Sequence, residues 1–199
     1  MPDIVLSDFV EIAHASGTSK ATKIAEVKHR GKYDPRFDFY KRLREQVERV
    51  HAQDLPKARL RDVLDGLKDH KKAKLYPDLV AAYLKWWGRK APRWANPPRG
   101  VFSDSGIDII VNPDVGLTLD GVSHFIKLYF KAESLSRSRV DIVTHLMELS
   151  LRNKVSSGAV FAILDVRHGR LIPAGAANPK VSACLRAELA YIANLWPNV

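Results

Sequence analysis

The sequence predicts an α+β protein, in which an N-terminal helical bundle is followed by a small mixed β-sheet, a meander, flanked by helices. In the first half apolar residues recur every three or four positions, as in Tyr40, Leu43 and Val47, which indicates amphipathic helices. Beyond about residue 100 the period changes to two, most clearly over residues 122–131. Residues 89–100 contain three prolines and separate the two patterns. We therefore expect a basic helical subdomain over residues 1–92 and an α+β subdomain over residues 93–199, with the option that they pack as one domain.

Helix signals place several short helices in the first subdomain. Asp34-Pro35 is typical of a helix start, with Phe37 beginning an apolar stripe that runs to about His51. The run 69–74 is interpreted as a solvated link, and Pro77-Asp78 as the start of the next helix. Other helices are predicted over residues 8–15, 20–30, from Pro56 onward, over 134–154 and from Asn178-Pro179 onward.

Strand signals cluster in the second subdomain. Strands are predicted over residues 107–111, 117–119, 122–131, 159–166 and 170–172. Asp120-Gly121 is a strong hairpin turn between the second and third of them. The almost continuously apolar run 159–166 predicts a central strand that is covered on both faces.

The positive charge is concentrated in one part of the chain. The 199 residues carry a net charge of +10. Residues 1–19 carry −3, residues 20–99 carry +12 from 22 basic and 10 acidic side chains, and residues 100–199 carry +1. Segregated positive charge attracts polyanions, of which nucleic acid is the commonest. A basic surface that serves only solubility is the alternative interpretation.

We therefore predict a nucleic-acid-associated binding protein, either for DNA or for RNA, that contacts phosphates through its helical half. Salt-sensitive binding follows from this prediction. The candidate phosphate-binding residues are Lys41, Arg42, Arg44, Arg49, Lys71, Lys72, Lys74, Arg89, Lys90, Arg93, Arg137 and Arg139.

Arg137 and Arg139 belong to this set for a separate reason. They follow Ser134 and stand before an acidic helix start, where free amides and two guanidinium groups would favour an anion. A plain helix cap by Ser136 or Ser138 explains the serines equally well.

The aromatic and basic segment 85–94 supports a second hypothesis. Exposed Trp86 and Trp94 beside cations would stack on bases or anchor a protein partner. A protein–protein module with an acidic partner, such as a regulatory, defence or toxin-neutralising component, is therefore an alternative function. Burial of Trp87 and Trp94 between the helical half and the sheet is the structural alternative.

No complete catalytic motif is present, but the order of elements carries a resemblance. Over about residues 75–172 the order helix, meander, helix, strand resembles the core of the PD-(D/E)xK nuclease-like, or restriction-endonuclease-like, fold. That family has an acid near the end of its second strand and an acid-x-lysine sequence on its third, which hold Mg²⁺ and orient water. Asn112-Pro113-Asp114 offers the first acid. At the acid-x-lysine position the sequence departs from the pattern and has Tyr129-Phe130-Lys131.

The segment Lys131-Ala132-Glu133 has the required residue types in reversed order. The resemblance thus implies Asp114, Lys131 and Glu133 as catalytic residues of a metal-dependent nuclease. Asp114 and Glu133 would then be the Mg²⁺ ligands.

The remaining features bear on compartment. The acidic N-terminus and the lack of a long apolar run argue against export and against a membrane partner, so a cytoplasmic location is expected. The one cysteine, Cys184, has no partner for an internal disulfide. Its apolar neighbourhood predicts a buried, inert thiol.

Overall fold

The computed structural model describes residues 2–31 and 38–199 and confirms the α+β class. The predicted helix start at Asp34-Pro35 and Phe37 lie outside the described residues. The described helices are α1 (Leu6–His14), α2 (Gly17–Lys28), α3 (Lys41–Ala52), α4 (His70–Trp87), α5 (Arg137–Leu151) and α6 (Pro179–Leu195). Short 3-10 segments occupy Lys57–Leu64, Arg152–Lys154 and Trp196–Asn198.

The strands form two sheets. They are β1 (Asp3–Val5), β2 (Arg93–Trp94), β3 (Gly100–Asp104), β4 (Ile107–Val111), β5 (Val115–Leu119), β6 (Val122–Tyr129), β7 (Val160–Asp165) and β8 (Arg170–Pro173). The smaller sheet has the order β1-β4-β3, and the larger sheet has the order β2-β5-β6-β7-β8. Strands β1 and β4 are parallel, as are β6 and β7, and every other pair is antiparallel.

The larger sheet is covered on both faces, because its side chains alternate between two hydrophobic clusters. On β7, Phe161 and Ile163 belong to the cluster that α1, α5 and α6 form with the smaller sheet. Leu164 and Val166 belong to the other cluster, which includes residues of α3, of the 3-10 segment Lys57–Leu64 and of α4. The prediction of a central strand buried on both faces is therefore confirmed.

Each cluster draws residues from both sides of position 92. Ile4 of β1 and Phe9 of α1 are fully buried against residues of α5 and α6. Tyr76 and Tyr83 of α4 are buried in the same cluster as Val115 and Ile126 of the larger sheet. The helices of the first half thus complete the core of the strands that follow them.

Turn chemistry shapes the β5–β6 hairpin as predicted. Asp120 and Gly121 both have positive φ, 48° and 82°. This is the backbone conformation that a tight two-residue hairpin requires.

The start of α4 differs from the prediction. The helix begins at His70, because the Asp69 side chain accepts hydrogen bonds from the amides of Lys71 and Lys72 and so caps it. Pro77 lies inside this helix. The prediction of a solvated link over residues 69–74, with a helix starting at Pro77, was therefore wrong.

Three smaller expectations also need correction. The segment after Pro56 forms a 3-10 helix in which Leu60 and Val63 are buried. Within the proline-rich segment, Arg93 and Trp94 pair with β5 as a short strand. Cys184 is exposed, because Leu185 and Leu189 point inward from α6 and Cys184 lies outside their stripe.

Among the described residues no helix has both the length and the apolar character needed to cross a bilayer.

Candidate functional site

Asp114 lies immediately before β5, and neighbouring groups contact both of its carboxylate oxygens. One carboxylate oxygen is 2.9 Å from Nζ of Lys127, and the other accepts a hydrogen bond from the amide of Leu128 at 2.8 Å. Arg44 of α3 lies 3.8 Å away. With its side chain only 7% exposed, Asp114 joins β5, β6 and α3.

Lys131 and Glu133 belong to a different ionic cluster, beyond the end of β6. Nζ of Lys131 lies 2.8 Å from Glu11 of α1, and Arg139 of α5 contacts Glu11 at 2.5 Å. Glu133 is largely exposed and lies 3.9 Å from Arg139.

The structure thus brings Lys131 and Glu133 together around Arg139 and Glu11. In the described part of the chain, Asp114 shares no ion-pair partner with either of them. Across residues 2–31 and 38–199, no group of three or more His, Cys, Asp or Glu side chains is arranged to hold a metal ion.

Several of the predicted phosphate-binding cations have partners within the protein. Lys41 lies 3.4 Å from Glu45, and Arg44 contacts Asp38 as well as Asp114. Arg42 donates to the backbone oxygen of Asp65.

The two arginines at the start of α5 are also paired. Arg137 lies 2.9 Å from Asp141, and Arg139, only 12% exposed, is bound to Glu11. Ser136 caps the helix by accepting a hydrogen bond from the amide of Arg139, as the second interpretation of these serines predicted. Both arginines therefore have a carboxylate partner, Arg137 on the surface and Arg139 in a largely buried position.

The other predicted cations have no ion pair within the described residues. Lys72 is half-buried and lies over the ring of Phe39. The exposed members are Arg49, Lys71, Lys74, Arg89, Lys90 and Arg93.

Two of these cations share one exposed face of α4 with Lys85. Lys71, Lys74 and Lys85 are separated by three and eleven residues, which places them on one side of a helix with 3.6 residues per turn. The rise of 1.5 Å per residue gives a length of about 21 Å from Lys71 to Lys85. Asp78 is the acidic residue on this face. We call Lys71, Lys74 and Lys85 the α4 basic face.

At the C-terminal end of α4 this face leads into a pocket of about 290 Å³. One wall comes from α4 and the residues after it, and the other comes from the turn between β7 and β8. The lining residues are Ala82, Lys85, Trp86, Lys90, Arg167, His168 and Gly169. Four of them are basic or can become so, and none is a carboxylate. We call this the basic pocket.

Hydrogen bonds within the protein hold three of the pocket's polar side chains in place. Nε of Arg167 donates to the backbone oxygen of Phe130 at 2.8 Å. Nδ1 of His168 lies 2.8 Å from the buried carboxylate of Asp165. Lys90 donates to the backbone oxygen of Trp86 and lies over its indole ring. Within residues 2–31 and 38–199, the outer nitrogens of Arg167 and Nε2 of His168 have no hydrogen-bond partner.

The tryptophans pack in the core, which corrects the expectation that Trp86 is exposed. Trp86 and Trp87 are 6% and 9% exposed, and Trp94 is half-buried against the same cluster. Their spacing along α4 explains this, because Tyr83, Trp86 and Trp87 continue the buried stripe of that helix. Trp86 therefore lines the pocket with a side chain that is almost entirely buried.

Three residues of the basic pocket were not predicted as site residues from the sequence: Lys85, Arg167 and His168. Lys85 belongs to the aromatic and basic segment that was recognised, but Arg167 and His168 stand more than 75 positions further along the chain. One signal was available, since they follow a strand predicted to be central, and polar residues at strand ends are common binding positions. Their proximity to α4 depends on tertiary packing.

A comparison with models of known protein families finds no match to this chain, and a comparison with curated proteins finds none either. The resemblance to the PD-(D/E)xK fold stays a prediction from the order of elements.

Proposed function

We propose that this chain binds nucleic acid through a basic surface that runs from the α4 basic face into the basic pocket. The observation that supports this function best is the convergence of Lys85, Lys90, Arg167 and His168 on one concavity whose lining includes no carboxylate. A cleft that is lined by charges of one sign concentrates the field and attracts ligands of the opposite sign.

The dimensions of the surface suit a strand of phosphates. The α4 basic face is about 21 Å long, and phosphates follow one strand of B-DNA at about 3.4 Å along its axis. Roughly six phosphates therefore fall beside this face. Among the described residues of α4, Asp78 is the carboxylate on this face and lies between Lys74 and Lys85, while the capping residue Asp69 adjoins the Lys71 end.

The contacts expected from this surface are to phosphates. Trp86 is buried, so its indole face is not offered to a base. Lysine and arginine contacts to phosphates position a nucleic acid without reading its sequence. We therefore expect little sequence preference and a strong dependence on ionic strength.

Fluorescence anisotropy with internally labelled single-stranded and double-stranded oligonucleotides of DNA and RNA tests the proposal. At about 50 mM salt we expect binding, with a loss of roughly 100-fold on raising salt to about 200 mM if about five phosphates of a single strand are contacted. Reversing Lys71, Lys72 and Lys74 together to glutamate should weaken binding by at least as much.

A charge-matched variant separates this surface from net charge alone. Lys154, Lys180 and Arg186 are exposed and lie on or beside the α5 and α6 side of the protein. Reversing these three to glutamate changes the net charge by the same amount and should leave affinity within a few-fold of wild type. Absence of binding to every oligonucleotide at low salt would overturn the proposal and favour an acidic protein as the partner.

A further inference from the structure

We infer that the basic pocket accepts the terminal phosphate of a nucleic-acid strand, a phosphomonoester, in preference to an internal phosphodiester. This inference rests on the proposed function and specifies which part of the ligand the pocket holds.

The charges of the pocket match a monoester better than a diester. Lys85, Lys90 and Arg167 bring three positive charges to the lining, and His168 adds a fourth polar group. An internal phosphodiester carries one negative charge, whereas a phosphomonoester carries about −1.5 to −2 near neutral pH and has three strongly accepting oxygens. A terminal phosphate therefore satisfies more of these donors at once.

The shape of the pocket points the same way. Lys85 and Trp86 of α4 form one wall, and Arg167 and His168 in the β7–β8 turn form the other. A group that contacts both walls must enter between them. A volume of about 290 Å³ lies at the lower limit of small-molecule pockets, which span roughly 300–1,000 Å³. A strand end enters such a space with one phosphate, whereas an internal phosphate would have to bring the sugars on both sides.

The turn itself keeps the second wall close to α4. Gly169 has a φ of 61°, a conformation that favours glycine, and a Cβ built there would lie 3.9 Å from Cβ of Trp86. The turn therefore packs directly against the helix, so Arg167 and His168 face the α4 cations across a short distance.

The donors are oriented before any ligand arrives. The bond from Nε of Arg167 to Phe130 leaves the two terminal nitrogens of the guanidinium group free for a phosphate. The bond from Nδ1 of His168 to Asp165 leaves Nε2 as the outward atom, which accepts from the hydroxyl of a monoprotonated phosphate when the ring is neutral and donates when the ring is charged. Orienting side chains in advance lowers the entropy lost on binding.

The α4 basic face continues from this end point. Lys85 lines the pocket and also belongs to the face, with Lys74 and Lys71 further along the helix. A strand whose end is held in the pocket thus has its following phosphates beside the remaining lysines.

Anisotropy with three forms of one oligothymidine of about 12 nucleotides tests the inference. The forms have hydroxyl groups at both ends, a 5′-phosphate or a 3′-phosphate, and each has an internal fluorophore. We expect one phosphorylated form to bind about tenfold tighter than the hydroxyl form, as the added charge-assisted hydrogen bonds imply. Thymidine 5′-monophosphate serves as a competitor and should bind more weakly than that form, because it lacks the strand.

Variants confined to the pocket locate the preference. Arg167→Gln and His168→Gln should each reduce it, while binding of the hydroxyl form persists through the α4 basic face and shows that the variants are folded. Lys180→Gln removes a charge outside the pocket and should leave the preference unchanged. Because Arg167 also bonds Phe130, His168→Gln provides the test should Arg167→Gln fail to fold.

Each of the other outcomes contradicts the inference in a distinguishable way. Equal affinity for all three end groups would overturn it and leave the proposed function intact. A preference that survives in both pocket variants would place the strand end elsewhere. Equal affinity for the mononucleotide and the phosphorylated strand would show that the phosphates beyond the strand end do not contribute to binding. Failure of every oligonucleotide to bind would overturn the proposed function as well.

Discussion

Nε2 of His51 lies 2.8 Å from the hydroxyl of Tyr83, and both side chains are buried. The imidazole also stacks on the ring of Trp87 at a centroid distance of 4.2 Å. Burial lowers the pKa of His51 from 6.5 to about 4, because a charged imidazolium would lose its hydration there. Burial also raises the pKa of Tyr83, so its hydroxyl stays protonated.

The lowered pKa of His51 predicts a loss of stability in mild acid. Between pH 6.5 and about 4 the unfolded chain binds a proton at His51 that the folded protein does not, so the free energy of unfolding falls as pH is lowered through this window. The full effect is about 3 kcal/mol, since one pKa unit corresponds to about 1.4 kcal/mol. Urea unfolding of wild type and His51→Gln at intervals of pH measures it. Parallel stability curves for the two proteins would contradict the prediction.

The lowered pKa of Glu11 predicts a loss of stability in a more acidic pH range than that of His51. Burial raises the pKa of this carboxyl group, but hydrogen bonds from Arg139 and Lys131 more than offset that effect and bring the pKa to about 2. The stabilisation from ionised Glu11 is present above pH 4.5 and is lost as pH falls toward 2. Glu11→Gln should therefore reduce the free energy of unfolding by about 2 kcal/mol near neutral pH, with a smaller difference at about pH 3.

Glu133→Gln is the matched control for that measurement. Glu133 approaches the same Arg139 at 3.9 Å, but its side chain is 72% exposed. An exposed ion pair contributes little to stability, so we expect a change within about 0.5 kcal/mol. If Glu133→Gln lowered the free energy of unfolding as much as Glu11→Gln does, the greater burial of Glu11 would not explain its contribution to stability.

Pro77 predicts a stabilising substitution. It lies inside α4 and is exposed, so it removes one helix hydrogen bond without contributing buried surface. Pro77→Ala should raise the free energy of unfolding by about 1–2 kcal/mol, which is less than the full helix penalty because alanine also frees the unfolded chain. Thermal unfolding monitored by circular dichroism measures it. A lower Tm would show that the proline fits its position better than alanine does.

Pro77 also shows where sequence reasoning reached its limit for the fold. Periodicity identified the helix that ends at Gly88, but a proline is usually a helix start and the lysines before it indicated solvent. The Asp69 cap and the burial of Tyr76 at the centre of a core outweigh this local preference. Five strands and the Asp120-Gly121 turn were predicted closely because their patterns are local, whereas β1, β2 and β3 were not predicted.

The basic pocket could be predicted only in part. Lys85 and Lys90 stand in a segment whose composition attracted attention, and they are close in sequence. Arg167 and His168 reach them through the packing of the β7–β8 turn on α4, which no local pattern encodes. Likewise Arg44 pairs with Asp114 and Arg139 pairs with Glu11, residues that are far away in sequence. The sequence alone therefore could not show which arginines are ion-paired and which are exposed to a ligand.

Gly116 predicts the most damaging substitution, because the chain leaving β2 crosses directly over it. The amide of Ala95 donates to the backbone oxygen of Gly116 at 2.9 Å, and a Cβ built on Gly116 would lie 1.9 Å from the backbone oxygen of Ala95. Backbone must move to relieve such a clash, and overpacking that shifts the backbone typically costs about 1–3 kcal/mol and occasionally more. Gly116→Ala should therefore lower Tm strongly or prevent soluble expression. Gly158 is the control, because it has no atom within 4 Å of a built Cβ and no positive φ. Gly158→Ala should therefore change the Tm little. Similar Tm values for the two variants would contradict the proposed close crossing.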